Sequence, residues 1–209
     1  MPAQFLRIHP ETPQPRLISQ VAAMLRGGKV IAYPTDSSYA LGCHIGDKTA
    51  MDAIRRLRGL EDQHNFTLIC RDLSEIATYA RVTNTAYRLI KSLTPGPYTF
   101  ILRATREVPR RLQHPRRRTI GIRVPDNEIC NALIDAMGEP LMSVTLMLPG
   151  DEFPLADAEE IRDKIGNRVD LIVDGGACGM DATTVIEWLD EEPVLVRQGK
   201  GDVSELNLR

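Results

Sequence analysis

No stretch of this sequence approaches the ~20 consecutive apolar residues that a membrane-spanning helix needs. Its opening residues, MPAQFLRIHPETPQ, hold no basic segment leading into a long apolar core. A secretory signal is therefore not expected. Cysteine is sparse: Cys43, Cys70, Cys130 and Cys178 stand far apart, with no paired spacing. That pattern excludes a thioredoxin-type motif and a cysteine-ligated metal, and reads as reduced thiols in a cytoplasmic protein. The histidines His9, His44, His64 and His114 show no metal-ligand spacing either. No structural metal is expected, and no histidine or cysteine is assigned a catalytic role. Neither a GxGxxG turn nor a GxxxxGK[ST] loop follows a strand, so both standard nucleotide fingerprints are missing. Repeats and low-complexity linkers are absent.

What is present is an ordinary globular composition. The chain has 209 residues, 43% hydrophobic and 26% charged. That is enough for one substantial domain. The net charge of −2 hides an asymmetry. Residues 1–125 hold 20 Lys/Arg against 9 Asp/Glu, and residues 126–209 hold 6 against 19. Of the 26 basic residues 21 are arginine, whose planar fork suits carboxylates and phosphates. A basic half suggests an anionic ligand or nucleic acid. Equally, the two halves can simply neutralise each other in the folded chain.

Patterning predicts an α/β domain with a twisted mixed sheet flanked by helices. Residues 16–26 place Leu17, Val21, Met24 and Leu25 on one helical face. Asp47 is a candidate cap for the helix KTAMDAIRRLR. NEICNALIDAM reads as a helix closed by Gly138. Strands are expected at 30–33, FTLIC, PYTFILRA, TIGIRV, LMSVTLM, DLIVDGG, TTVIEWL and PVLVRQG.

Three constellations carry chemistry. Strand 30–33 ends at Pro34 in Thr35, Asp36, Ser37 and Ser38. Hydroxyls at a strand end can bind a small polar ligand, but on spacing alone the commoner reading is a helix cap or Asx-turn. Arg55, Arg56 and Arg58 end a helix. Positions i and i+2 do not share a face, so Arg56 and Arg58 converge only if the helix stops between them. Eight arginines and one acid, Glu107, lie between Arg103 and Arg123. Arg123 falls inside a strand, where it calls for a carboxylate or phosphate partner. Arg110, Arg111, Arg116, Arg117 and Arg118 read as a solvated loop or a phosphate-binding surface. With no aromatics interleaved, base stacking is not expected there.

In order, PTDSSYALGC, PGPYTFIL, TIGIRVP, PLMSVTLMLPG, DGG before TTVI, and VLVRQGKGD resemble the YrdC family. The likeness runs over about residues 14–200 within a single domain, 1–209, and HNFTLICRDL points to the YciO branch. The family includes the threonylcarbamoyl-adenylate synthases. The resemblance implies a concave, positively charged face. It also implies a reaction of L-threonine (or another small amino acid), bicarbonate and ATP, with Mg2+ accompanying the ATP. The products are threonylcarbamoyl-AMP and diphosphate, serving tRNA modification. By motif matching, Thr35, Arg71, Arg123, Thr145 and Thr183 would hold the amino acid. Arg58, Thr119, Met147 and Arg197 would face ATP, and Arg56 and Arg58 would be catalytic. Arg110, Arg111 and Arg116 to Arg118 would contact tRNA or double-stranded RNA.

Two motifs depart from that family. The synthases' K-x-R reads Arg56-Leu57-Arg58 here, and their S-x-N reads Thr145-Leu146-Met147. Methionine offers only a weak acceptor where asparagine offers a donor and an acceptor. Residues 59–65, GLEDQHN, are extra relative to the synthases. The resemblance thus implies a weak or divergent synthase, or a nucleotide- or RNA-binding protein without efficient turnover.

Overall fold

The computed structural model describes residues 2–61, 64, 66–189, 192–204 and 206. Its helices start and stop where local chemistry dictates. Helix α1 (Pro15–Arg26) opens on Pro15 and is followed by Gly27 at its C-cap. Helix α2 (Lys48–Arg58) is capped by Asp47, whose carboxylate accepts from the Ala50 amide at 2.8 Å. It ends at Gly59, with φ 62°, a left-handed conformation that glycine reaches without a Cβ clash. Helices α3 (Leu73–Tyr79), α4 (Asn84–Leu93), α5 (Glu128–Met137) and α6 (Ala158–Ile165) take their caps from Asp72, Thr83, Asn127 and Asp157.

The strands form one 11-stranded mixed sheet. They are β1 (Gln4–Arg7), β2 (Ile31–Tyr33), β3 (Ala40–His44), β4 (Thr67–Ile69), β5 (Ala80–Arg81) and β6 (Tyr98–Ala104), followed by β7 (Thr119–Arg123), β8 (Leu141–Thr145), β9 (Leu171–Asp174), β10 (Thr184–Trp188) and β11 (Val194–Arg197). The order is β1-β9-β2-β3-β8-β4-β7-β6-β10-β11, with β5 on β6. The pairs β1–β9, β2–β9, β4–β7 and β6–β10 are parallel, and the others are antiparallel.

Side chains alternate across the sheet, so each strand feeds two cores. On one face Leu41, Leu68, Phe100, Ile122, Met142 and Ile186 pack with residues of α2, α4 and α6. On the other, Ile31, Tyr33, Leu171 and Val173 pack under α1 and α5. That second layer covers only part of its face. Further along, the same face presents Ser143, Thr67, Gly121 and Thr99, which line a cavity instead. Small and polar residues there give a covering helix too little apolar surface to pack against.

The structure shifts some expectations. The buried stripe of α1 is Ile18, Val21, Ala22 and Leu25, with Leu17 and Met24 only partly buried at its margins. Ala22 contributes little hydrophobicity yet sits mid-stripe. Strands β1, β3 and β5 were not anticipated. β3 contains Gly42, a residue disfavoured in strands. It is required there because a Cβ would lie 2.8 Å from the Tyr33 ring and 3.0 Å from Leu141. No helix among the described residues is long and apolar enough to cross a membrane.

Gly121 sets the spacing of β7 against β4. A Cβ on it would meet Thr67 Oγ1 at 2.7 Å and the Phe66 carbonyl at 3.0 Å. Gly121→Ala is expected to destabilise the protein by about 1–3 kcal/mol, the usual cost of overpacking. Urea unfolding measures it. An unchanged midpoint would show that β4 and β7 part freely.

Candidate functional site

Strand β7 delivers Arg123 to the end of β2, where Pro34 breaks the strand. Arg123 is 5% exposed. Its Nη2 donates to Ser37 Oγ at 3.0 Å and Thr35 Oγ1 at 3.2 Å, and forms an ion pair with Asp36 Oδ1. The Thr35 hydroxyl donates to the Ser38 carbonyl at 2.6 Å and accepts from the Ser37 and Ser38 amides at 3.2 and 3.3 Å. Turn chemistry and ligand-site chemistry are therefore one structure. The turn folds around the arginine, and Asp36 is the partner a strand-borne arginine requires. From the far end of the chain, Lys200 Nζ donates to the Asp36 carbonyl. Arg123 Nε and Asp36 Oδ2 are buried without partners among the described residues.

Beside this cluster lies a cavity of about 260 Å³. Its floor is the uncovered sheet face: Ala40, Ser143, Thr67, Gly121 and Thr99. Its walls include Thr35, Ser38 and Arg123, and also Arg58, His64, Met147 and Arg197, with His64 in the field of Arg58 and Arg197. Thr99 and Thr183 share a hydroxyl–hydroxyl bond of 2.9 Å. Arg197 donates through Nη2 and Nε to the Thr183 carbonyl at 2.9 and 3.3 Å, which fixes the guanidinium against β10. Beneath the floor, the Tyr33 hydroxyl donates to Ser143 Oγ at 2.7 Å, and burial raises its pKa.

The cationic end is desolvated. Burial lowers the pKa of Arg58, opposed by the Asp151 carboxylate, and burial also lowers that of Arg197. Arg58 Nε is buried with no partner among the described residues. His64 is pushed down to about 4, first by burial and then by Arg58, Arg55 and Arg197. At neutral pH it is an uncharged imidazole. Near Thr35, burial pushes the Cys178 thiol up to about 11, so it is no nucleophile at neutral pH. Groups held this far from their ordinary states cluster at binding sites.

Of the residues marked from sequence, the structure brings Thr35, Arg58, Arg123, Thr145, Met147, Thr183 and Arg197 to this cavity. Three lie elsewhere. Arg56 is exposed, because α2 runs unbroken to Arg58 and residues two apart diverge. The residue sharing the Arg58 face is Arg55, three positions back, whose guanidinium stacks 4.9 Å from the Phe66 ring centroid. Arg71 points outward to Asp72, with Nε 3.0 Å from Oδ2. Thr119 is on the open face but two residues before Gly121, beyond the cavity and fully buried. The arginines at 110, 111, 116, 117 and 118 are all exposed. Arg111 bonds the Gly46 carbonyl and Arg117 pairs with Glu187 at 2.5 Å. Buried His114 ties this loop together, its Nδ1 accepting from the Arg116 and Arg117 amides at 3.3 and 3.1 Å.

The sequence reading passed over His64, Thr99 and Ser143. Thr99 and Ser143 follow from alternation once their strands are registered. His64 lies in the extra segment 59–65 and carried no spacing signal; its neighbours Asp62, Gln63 and Asn65 lie outside the described residues.

A family model for the Sua5, YciO and YrdC proteins, described as "Telomere recombination", matches residues 23–199. The chain belongs to that family. The crystal structure of Escherichia coli YciO superposes with a TM-score of 0.94 at 58% identity, covering 97% of this chain and 98% of YciO. The crystal structure of P. abyssi Sua5 complexed with L-threonine superposes with a TM-score of 0.88 at 25% identity, over 97% of this chain and 59% of Sua5. Threonylcarbamoyl-AMP synthase of Halorhodospira halophila is 30% identical over 178 residues, 85% of this chain and 92% of the synthase. The Sua5/YciO/YrdC fold thus joins a mixed sheet to this half-covered face.

Breaking the buried Arg123–Asp36 pair strands a charge. Asp36→Ala is expected to lower stability by about 3–5 kcal/mol in urea unfolding. Arg71→Ala, in an exposed pair, is expected to stay within about 0.5 kcal/mol of the parent. Equal effects would show that the ion pair does not organise the turn.

Proposed function

We propose that this chain is a divergent enzyme of the threonylcarbamoyl-AMP synthase type, joining a small amino acid, bicarbonate and ATP. The observation that carries this is the cavity itself. It gathers three arginines from separate elements, which suit two different anions: an amino-acid carboxylate at Arg123 and phosphates at Arg58 and Arg197. Arg123 has an unpartnered buried Nε–H to offer a carboxylate. Arg58 and Arg197 reach the other end from α2 and β11, and burial strengthens their attraction for phosphate. Threonine bound to P. abyssi Sua5 supports an amino acid as one ligand.

The chemistry needs no covalent nucleophile from the protein. A carbamate oxygen attacks the α-phosphorus, and pyrophosphate leaves with the bonding electron pair. Positioning and fixed positive charge supply the catalysis. Among the described residues the cavity lining includes no carboxylate, so Mg2+ would enter on the ATP phosphates rather than in a protein cage.

Met147 favours a second reading. It places a weakly accepting thioether at the phosphate end, where a donor would serve better. On this reading the cavity binds nucleotide without efficient turnover, and the exposed arginines at 110, 111 and 116 to 118 contact RNA phosphates.

Pyrophosphate release in the presence of threonine, bicarbonate and ATP tests the first reading; ATP binding without release supports the second. Arg123→Gln is expected to raise KM for threonine at least ~10-fold, about 1.4 kcal/mol, with a smaller effect on KM for ATP. Met147→Asn is expected to raise the rate by about 5- to 10-fold, consistent with ~1 kcal/mol for one polar contact. Arg56→Lys, on the solvent face of α2, is expected to leave the rate unchanged. A gain from Arg56→Lys would mean that the end of α2 rearranges on binding.

A further inference from the structure

His64 is a neutral imidazole set among arginines, a group that an entering anion can charge. It lines the cavity beside Arg58 and Arg197. Its amide donates to the Glu61 carbonyl at 3.1 Å, and its ring stands edge-on to Phe66, with centroids 5.9 Å apart at 81°. Phe66 is fully buried, so it gives the imidazole a rigid brace. The charged groups that act on it are Arg55 and Arg58 from α2 and Arg197 from β11; Asp151 acts on Arg58 in turn. Without an anion, a proton on His64 would be a further positive charge in a desolvated positive site.

We propose that His64 is a phosphate-binding residue that takes up a proton as a polyphosphate enters, becoming an additional cation beside Arg58 and Arg197. This rests on reading that end of the cavity as a phosphate site. The physical argument is one of sign. The three guanidinium groups and burial hold the imidazole down at about 4 in the free protein. A polyphosphate cancels the guanidinium field and adds opposite charge, and opposite charge within ~4–6 Å favours the protonated form by about 1–3 pH units. A ring protonated only in the complex makes binding tighter as pH falls, by linkage. The neutral imidazole would meanwhile cost the empty site no added charge repulsion. The step is proton transfer alone: a ring nitrogen gains an N–H bond and a solvent hydronium or water gives up the proton.

Proton NMR of the histidine rings tests this in the intact chain. Contact with the Phe66 ring protons assigns His64, and His9, His44 and His114 serve as internal references. The expected midpoint is about 4 in the free protein and about 6 with saturating ATP, the shift that a nearby opposite charge produces. Inorganic pyrophosphate is run in parallel. His64→Gln keeps a donor and an acceptor but cannot take a proton. The ratio of variant to parent Kd for ATP is therefore expected to grow about 2-fold from pH 8 to pH 6 and about 10-fold from pH 8 to pH 5. A pH-independent ratio would mean a packing role only, and would overturn the proposal. So would a free-protein midpoint near 6.5, or a midpoint left near 4 by both ligands. If pyrophosphate raises it and ATP does not bind, the nucleotide reading falls and this inference stands. If ATP binds with the midpoint unmoved, this inference falls and the nucleotide reading stands.

Discussion

The site depends on one buried ion pair. Arg123 enters from β7, and Asp36 with its flanking hydroxyls closes around it from the end of β2. An isolated guanidinium at this depth would be too costly to keep. Paired, it makes a short loop rigid at the point where the sheet has no helix over it. Every other polar contact nearby leans on that arrangement. Thr35 is turned by its bond to the Ser38 carbonyl, and Lys200 reaches back from beyond the last strand to the Asp36 carbonyl. The loop from Gly175 is held from beneath by the Tyr39 hydroxyl, which donates to the Gly176 carbonyl at 2.8 Å.

The second constraint is what the sheet leaves bare. One face is sealed by α2, α4 and α6. The opposite face is roofed by α1 and α5 over β9 and β2, and open beyond. Where the roof stops, side chains change from Ile31 and Tyr33 to Ser143, Thr67, Gly121 and Thr99. The cavity is the direct consequence of that change. It gathers groups from strand ends, from the last turn of α2 and from β11, so its lining is chemically mixed. Hydroxyls and one caged arginine share it with two desolvated arginines and a neutral imidazole.

Much of the fold was legible locally. Asp47, Asn127 and Asp157 cap the helices they precede, and Gly59 and Gly138 end two of them. These signals are short-range, so they survive in a linear reading. Strand β3 was not legible, since Gly42 weakens its local signal and only the Tyr33 ring explains the glycine. Within the site, motif order grouped Arg58, Arg123 and Thr145, and all three line the cavity. Arg56 and Arg71 were not neighbours, because the direction of a side chain depends on where its helix or strand stops. The helix ran past Arg56 without a break, and Arg71 turned to the adjacent Asp72.

The sequence by itself determined the α/β class, the family and the need of Arg123 for a carboxylate or phosphate partner. Each of these follows from local chemistry or from motif order. Tertiary structure decided that the partner is Asp36, 87 residues away along the chain. It decided that Arg55 rather than Arg56 shares the face of Arg58, and that His64 is held neutral among arginines from two separate elements. Those outcomes depend on distances between segments, and on how much water the assembled fold excludes, which no linear pattern specifies.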